Sequence, residues 1–237
     1  MRKRLVLWDI DRTLLYVGDT DRRVYRETFR EVVGREATAL PARGTGVTMP
    51  IAVRELLTAN AVPETEVERL ASLIVDRLPD RLKAHWEELV RHGKVMPGAI
   101  GALAAVHQAP DLIPTVVTGN LRRSAEIKLS AMSLVKYVDT SLGGYASDSA
   151  HRPDLVAIAQ SRAADQYSMK FSAENTIIIG DSRQDVVTGL EGGAKVIGVA
   201  SGTTSAEQLA EAGAHAVIPD LQNLEGLMFR IRGLTSE

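Results

Sequence analysis

The sequence predicts an α/β fold in which a parallel sheet flanked by helices carries an inserted all-helical domain. Three observations support it. Residues 5–8 form an apolar run that ends in Asp9-Ile10-Asp11-Arg12-Thr13, the pattern of a buried strand entering a polar turn. From about residue 19 to residue 93 the chain shows helical spacing and little strand signal. Beyond Met96-Pro97-Gly98, short apolar runs alternate with amphipathic segments, as in a parallel sheet with right-handed crossovers.

Within the insert, Val24, Phe29, Val32 and Val33 stripe one helix, and Ile51, Val53, Leu56 and Leu57 a second. Val67, Leu70, Leu73, Ile74 and Leu78 suit a third, and Leu82, Trp86, Leu89 and Val90 a fourth, which puts Trp86 in the core of the insert. Gly34, residues 41–46 and Pro63 break these helices. A helix at 99–106 and a strand at 113–117 follow, then a helix at 122–133 and a short strand at 140–142. Next come a helix at 153–164, a strand at 176–179, a helix at 184–191 and strands at 194–199 and 216–218. The predicted division is an α/β core of residues 1–15 and 96–237 and a helical domain of residues 16–95, with residues 233–237 frayed.

Composition narrows the function. The 237 residues suffice for a substantial core. The absence of cysteine excludes disulfides, thiolate metal sites and cysteine nucleophiles. A formal net charge of −2 gives no electrostatic case for a nucleic-acid or anionic-membrane surface. No apolar run is long enough to span a membrane, and the four apolar residues before Asp9 are too few for a signal peptide, so a cytoplasmic location is expected.

Polar residues gather at the predicted strand ends, where open parallel sheets do their chemistry. Asp9 and Asp11 lie two apart, so a strand end turns both carboxylates to one side. Thr118-Gly119-Asn120 offers a hydroxyl and a glycine whose N–H an anion can approach closely. Arg152-Pro153 places a cation before a helix, and Gly180-Asp181-Ser182-Arg183-Gln184-Asp185 adds two more carboxylates.

This order, DxDxT at the first strand and GDxxxD far downstream, resembles the haloacid dehalogenase superfamily, and within it the phosphoglycolate phosphatase-like branch with a helical cap. The resemblance covers nearly the whole core and implies a Rossmann-like sheet with the insert as its cap. It implies a Mg²⁺-dependent phosphatase of small phosphorylated metabolites, working as a monomer or homodimer. Asp9 would be the nucleophile, forming an aspartyl-phosphate, and Asp11 the acid and base for the leaving alcohol and the incoming water. Asp9, the backbone carbonyl of Asp11 and Asp181 would hold Mg²⁺, supported by Asp185 and Thr13. Thr118, Gly119 and Asn120 would grip phosphoryl oxygens, and Arg152 would neutralise charge on the phosphoryl group and nucleophile.

The chain departs from the family pattern at two places. Arg12 stands where the family usually has glycine, and Arg152 where it usually has lysine. Lys128 is the other candidate for that cation, but on the predicted helix it reads better as a solvated residue. Gly18 and residues 93–98 suit a hinge, and residues 43–46 could face a substrate or form a plain turn. The five histidines show no metal-ligand spacing, and His151 draws notice only as the neighbour of Arg152. A phosphomutase, a metal-free dehalogenase and a non-catalytic binding module are the alternatives. Asp11 and Asp181 argue against the dehalogenase, and the intact motifs argue against the binding module.

Overall fold

The structure is a computed structural model that describes residues 3–42 and 44–235. Strand β1 (Arg4–Trp8) is buried along its whole length, and its side chains divide by strand periodicity. Leu5 and Leu7 enter the hydrophobic cluster on one face of the sheet, whereas Val6 and Trp8 enter the cluster on the other. Each such fully buried side chain contributes about 1.5–3 kcal/mol, so an ionisable residue at Leu7 would cost the core more than any surface change.

After the turn, a short strand β2 (Leu15–Tyr16) leads into four helices: α1 (Thr20–Val33), α2 (Met49–Ala59), α3 (Glu64–Ala84) and α4 (Trp86–His92). The predicted stripes bury Val24, Phe29, Leu56, Leu57, Ile74 and Leu78 between them. Trp86 does not follow the expectation: it is 41% exposed. It begins a separate seven-residue helix after a break at His85, so the stripe that buries Leu82 does not continue through it.

The chain returns through β3 (Lys94–Val95), which pairs antiparallel with β2, Leu15 opposite Val95 and Tyr16 opposite Lys94. This pairing was not visible in the sequence, because two residues carry no periodicity. The rest follows as α5 (Ala99–Gln108), β4 (Leu112–Thr118), α6 (Arg122–Ala131), β5 (Gly144–Tyr145), α7 (Asp154–Tyr167) and β6 (Thr176–Gly180). It closes with α8 (Arg183–Gly192), β7 (Lys195–Val199), α9 (Ala206–Glu211), β8 (Ala216–Ile218) and α10 (Leu224–Leu234). The strand expected at 140–142 is a turn, and β5 lies just beyond it at two residues that begin with Gly144, a poor strand former. The expected fraying from residue 233 is not seen at Gly233 and Leu234, which belong to α10, or at Thr235, which is buried; residues 236–237 lie outside the described residues.

Among the described residues, six parallel strands form one sheet in the order β5-β4-β1-β6-β7-β8, with helices on both sides. The fold class is therefore as predicted. β1 lies between β4 and β6, with Trp8 opposite both Val116 and Ile179. The residues just past these three strands consequently converge where the strand order reverses. No helix is long and apolar enough to cross a membrane among the described residues.

Candidate active site

Asp9 leaves β1 with its backbone N–H still bonded to the Ile179 carbonyl at 2.9 Å, so its position is set by the sheet. Its side chain is buried, and Arg152 donates to its Oδ1 at 2.6 Å. Thr13 sits one tight turn later, its hydroxyl 3.4 Å from Asp9 Oδ2 and 3.3 Å from Asp181 Oδ1. It spans the carboxylates of β1 and β6. Oxygens of Asp9, Asp181 and Asp185 all lie within 4.8 Å of one another, and all three residues are buried.

Such crowding has an electrostatic cost. Burial and the neighbouring Asp185 charge push the Asp181 carboxyl up to about 7. Asp9 is raised well above the usual carboxylate range, first by burial and then by Asp185, with Arg152 opposing. Three carboxylates held this closely by one guanidinium favour an added cation, and an all-oxygen donor set suits a hard one. Gly202 backs the cluster so closely that a β-carbon there would run into Asp181 Oδ2.

Asp185 is fixed twice. Its Oδ2 accepts from the Ser182 N–H at 2.9 Å and the Ser182 hydroxyl at 2.7 Å, closing a capping box at the start of α8. Its Oδ1 pairs with Arg152. Arg152 is itself buried, bonds the Gly46 carbonyl, and leaves its Nε without a hydrogen-bond partner among the described residues. An orphaned donor on a buried guanidinium is an open place for an acceptor.

Asp11 is not part of this trio but lines the same cleft. Asn120 Nδ2 donates to its Oδ2 at 2.7 Å and to the Thr118 hydroxyl at 2.8 Å, which ties β4 to β1. Gly119 is pressed against the Val47 carbonyl, and its own carbonyl accepts from the Met49 N–H at 2.8 Å. The segment entering α2 thus lies directly over the phosphate-binding candidates. Gly44, Thr45 and Gly46 line the cleft; Arg43, which the sequence grouped with them, lies outside the described residues.

Lys128 overturns the expectation of a solvated residue. Its side chain is 1% exposed, and its ammonium lies 3.0 Å from Asp11 Oδ1, 3.1 Å from Asp11 Oδ2 and 2.7 Å from Asp21 Oδ2. Burial alone would lower its affinity for the proton, but Asp11 and Asp21 outweigh it and keep the ammonium charged. The helix α3 packs on α6 and covers this face. A signal existed in the sequence: Lys128 follows Ser124 and Ala125 by one turn and adjoins Leu129, all buried. Ile127 and Ala131 on the same helix are only half-buried.

Arg12 keeps the turn that glycine would make easily, with φ of +66°. Its N–H bonds the Leu15 carbonyl at 2.6 Å, its carbonyl accepts from the Ser201 hydroxyl at 2.9 Å, and its guanidinium lies 4.7 Å from the Tyr16 ring centre. His151 plays no part here; its exposed ring bonds Asp154 at 3.0 Å.

The family model for haloacid dehalogenase-like hydrolases matches residues 6–188, which include every one of these motifs. The chain belongs to this hydrolase family. Three solved structures share the hydrolase fold. A predicted phosphatase from Clostridium acetobutylicum is 20% identical, with a TM-score of 0.72 over 97% of this chain and 100% of its own. A hydrolase from Pseudomonas syringae is 19% identical, with a TM-score of 0.68 over 99% and 100%. A protein from Lactobacillus plantarum provisionally named a phosphoglycolate phosphatase is 17% identical, with a TM-score of 0.64 over 96% and 100%. No curated protein matches the sequence. In this hydrolase, Asp9, Asp11, Thr118, Gly119, Asn120, Arg152 and Asp181 line one cleft together with Lys128 and Asp21. Thr13 and Asp185 do not line it and reach it only through their contacts with Asp9, Asp181 and Arg152.

Proposed function

We propose that the chain is a Mg²⁺-dependent phosphatase that hydrolyses a small phosphorylated metabolite through an aspartyl-phosphate on Asp9. The observation that carries the reading is the pairing of a buried carboxylate at a sheet end with a buried arginine whose Nε is unpartnered. Nearby Asp11 stands ready to move a proton.

In the first step a carboxylate oxygen of Asp9 attacks phosphorus, the bond to the leaving alcohol oxygen breaks, and Asp11 gives that oxygen a proton. In the second step Asp11 takes a proton from water as the water oxygen attacks phosphorus. The acyl-phosphate P–O bond breaks, freeing inorganic phosphate and Asp9. Thr118, Asn120 and the Gly119 backbone supply polar groups for the phosphoryl oxygens, and Arg152 offsets their charge. Asp9, Asp181 and the Asp11 carbonyl would hold Mg²⁺, with Thr13 and Asp185 supporting them; the ion offsets repulsion between the phosphoryl dianion and the nucleophile. The segment around Val47 and helix α1 cover the cleft and limit substrate size.

A phosphate-release screen over sugar phosphates, nucleotides and small phospho-acids, run in Mg²⁺ and in EDTA, tests the reading. Release that needs Mg²⁺ and disappears in Asp9→Asn is the expected result. Release that survives EDTA, or no release from any ester, would overturn it.

A further inference from the structure

Lys128 is buried in the candidate site, yet the chemistry proposed above gives it no task. An ammonium has three donors. Here three carboxylate oxygens surround them: both oxygens of Asp11 and Oδ2 of Asp21. The group is saturated by the protein, so it is no free clamp for a substrate anion.

The two partners belong to different layers of the molecule. Asp11 follows β1 in the sheet, and Asp21 is in the first turn of α1, just past Gly18 in the helical layer. Lys128 itself is on α6, fixed beneath α3 and α4. A buried ion pair of this kind costs desolvation that a methionine of similar length would avoid, so its presence is poorly explained by stability. What it does supply is orientation. With Lys128 on both oxygens and Asn120 on one, the Asp11 carboxylate has a single fixed aspect toward the cleft.

We infer that Lys128 is a positioning residue that holds the Asp11 carboxylate against the leaving-group oxygen, and that Asp21 makes this hold depend on α1 being seated. The inference rests on the phosphatase reading for the role of Asp11, but the link between Lys128 and Asp21 stands on geometry alone. When α1 lifts, Lys128 loses one of three acceptors and Asp11 loses its fixed aspect. Proton delivery is then available only with the cleft covered.

The experiment compares an alkyl phosphate, whose alkoxide must be protonated to leave, with 4-nitrophenyl phosphate, whose phenolate departs without a proton. In Lys128→Met, kcat on the alkyl ester should fall at least about thirtyfold, within the range of a general acid's worth. The loss on the aryl ester should be at least about tenfold smaller. Asp21→Asn should show the same selective loss in weaker form, and Lys128→Arg should restore part of it. Equal losses on the two esters would overturn the positioning role. Lys128→Met leaves two carboxylates facing each other; if it fails to fold, Asp21→Asn, which keeps Lys128 paired with Asp11, carries the kinetic test.

A denaturant double-mutant cycle between Lys128→Met and Asp21→Asn, without substrate, tests the link separately. Non-additive effects on the unfolding constant support it, and additive effects refute it. A wild-type chain that releases phosphate from no ester of the screen described above would refute the phosphatase reading and the acid-positioning role with it, while the cycle still decides the link.

Discussion

The Arg152 guanidinium donates to Asp9 Oδ1 at 2.6 Å, and both residues are buried, at 4–5% exposure. The proposed nucleophile is thus held by a residue far away in sequence, on the loop before α7, and the sheet sets the distance between them. Opposite charges this close in a dry site hold the attacking oxygen in place and offset its burial.

Asp9→Asn should fold normally and release phosphate at less than about a hundredth of the wild-type rate, the scale of losing a covalent step. The amide is nearly isosteric but is no nucleophile and a poor cation ligand. Steady-state assays with circular dichroism on the same preparation check both halves.

Arg152→Ala should lower kcat by several tens-fold or more, because one fixed charge on a transferring phosphoryl group is worth roughly 2–4 kcal/mol. It should also destabilise the fold, since Asp9 and Asp185 would be left facing each other without their shared cation. Arg152→Lys should recover only part of the rate. A single ammonium lacks the planar fork that now reaches Asp9, Asp185 and the Gly46 carbonyl together. Kinetics of the three proteins at one Mg²⁺ concentration rank them.

Without Mg²⁺, stability should fall as pH rises from about 4 to about 7. Asp181 binds its proton more tightly folded, at about 7, than at its ordinary 3.8. Its contribution is therefore complete below about 4 and is lost as pH passes through about 7, a change of a few kcal/mol. Denaturant midpoints in EDTA at pH 5 and pH 8 should differ in that sense. Mg²⁺ should recover the loss at pH 8 in the wild type, and Asp181→Asn should flatten the slope. A rising midpoint from pH 5 to pH 8 in EDTA would contradict this account.

Arg12→Gly should melt within a few degrees of the wild type, and Arg12→Ala below both. Glycine relieves a left-handed backbone worth about 1–2 kcal/mol but gains about as much freedom when unfolded and loses the stacking on Tyr16. Alanine keeps the strain and loses the stacking. Thermal denaturation gives the order directly.

The sequence made some parts of the site plain. Asp9, Asp11 and Thr13 follow an apolar strand at fixed spacing, and Asp181 repeats that pattern on the neighbouring strand, so local rules place them. Arg152 was found because it stands alone before a helix. Lys128 was missed for a different reason. The turn it shares with Ser124, Ala125 and Leu129 signals its burial, but its partners, Asp11 after β1 and Asp21 in α1, lie far away in the chain and no local pattern reports them. Trp86 was missed as well: spacing says which residues share a face, but the helix break at His85 decides whether that face turns inward. The substrate-facing segment before α2 follows neither period, and only the fold brings Val47 onto Gly119.

The pairing of β2 with β3 bears on how this chain could be rebuilt. The chain leaves the sheet and returns to it through two strands that touch, and the Met96 N–H reaches back to the Leu14 carbonyl at 2.9 Å. Departure and return are therefore one doorway. Everything threaded through it is a cassette: helices could be exchanged, lengthened or replaced by a short hairpin turn with little change in the entropy of closing the chain. A new occupant would have to keep two contacts of the present one, Asp21 on Lys128 and the Gly46 carbonyl on Arg152, because these carry the cassette's influence onto the platform's charged residues.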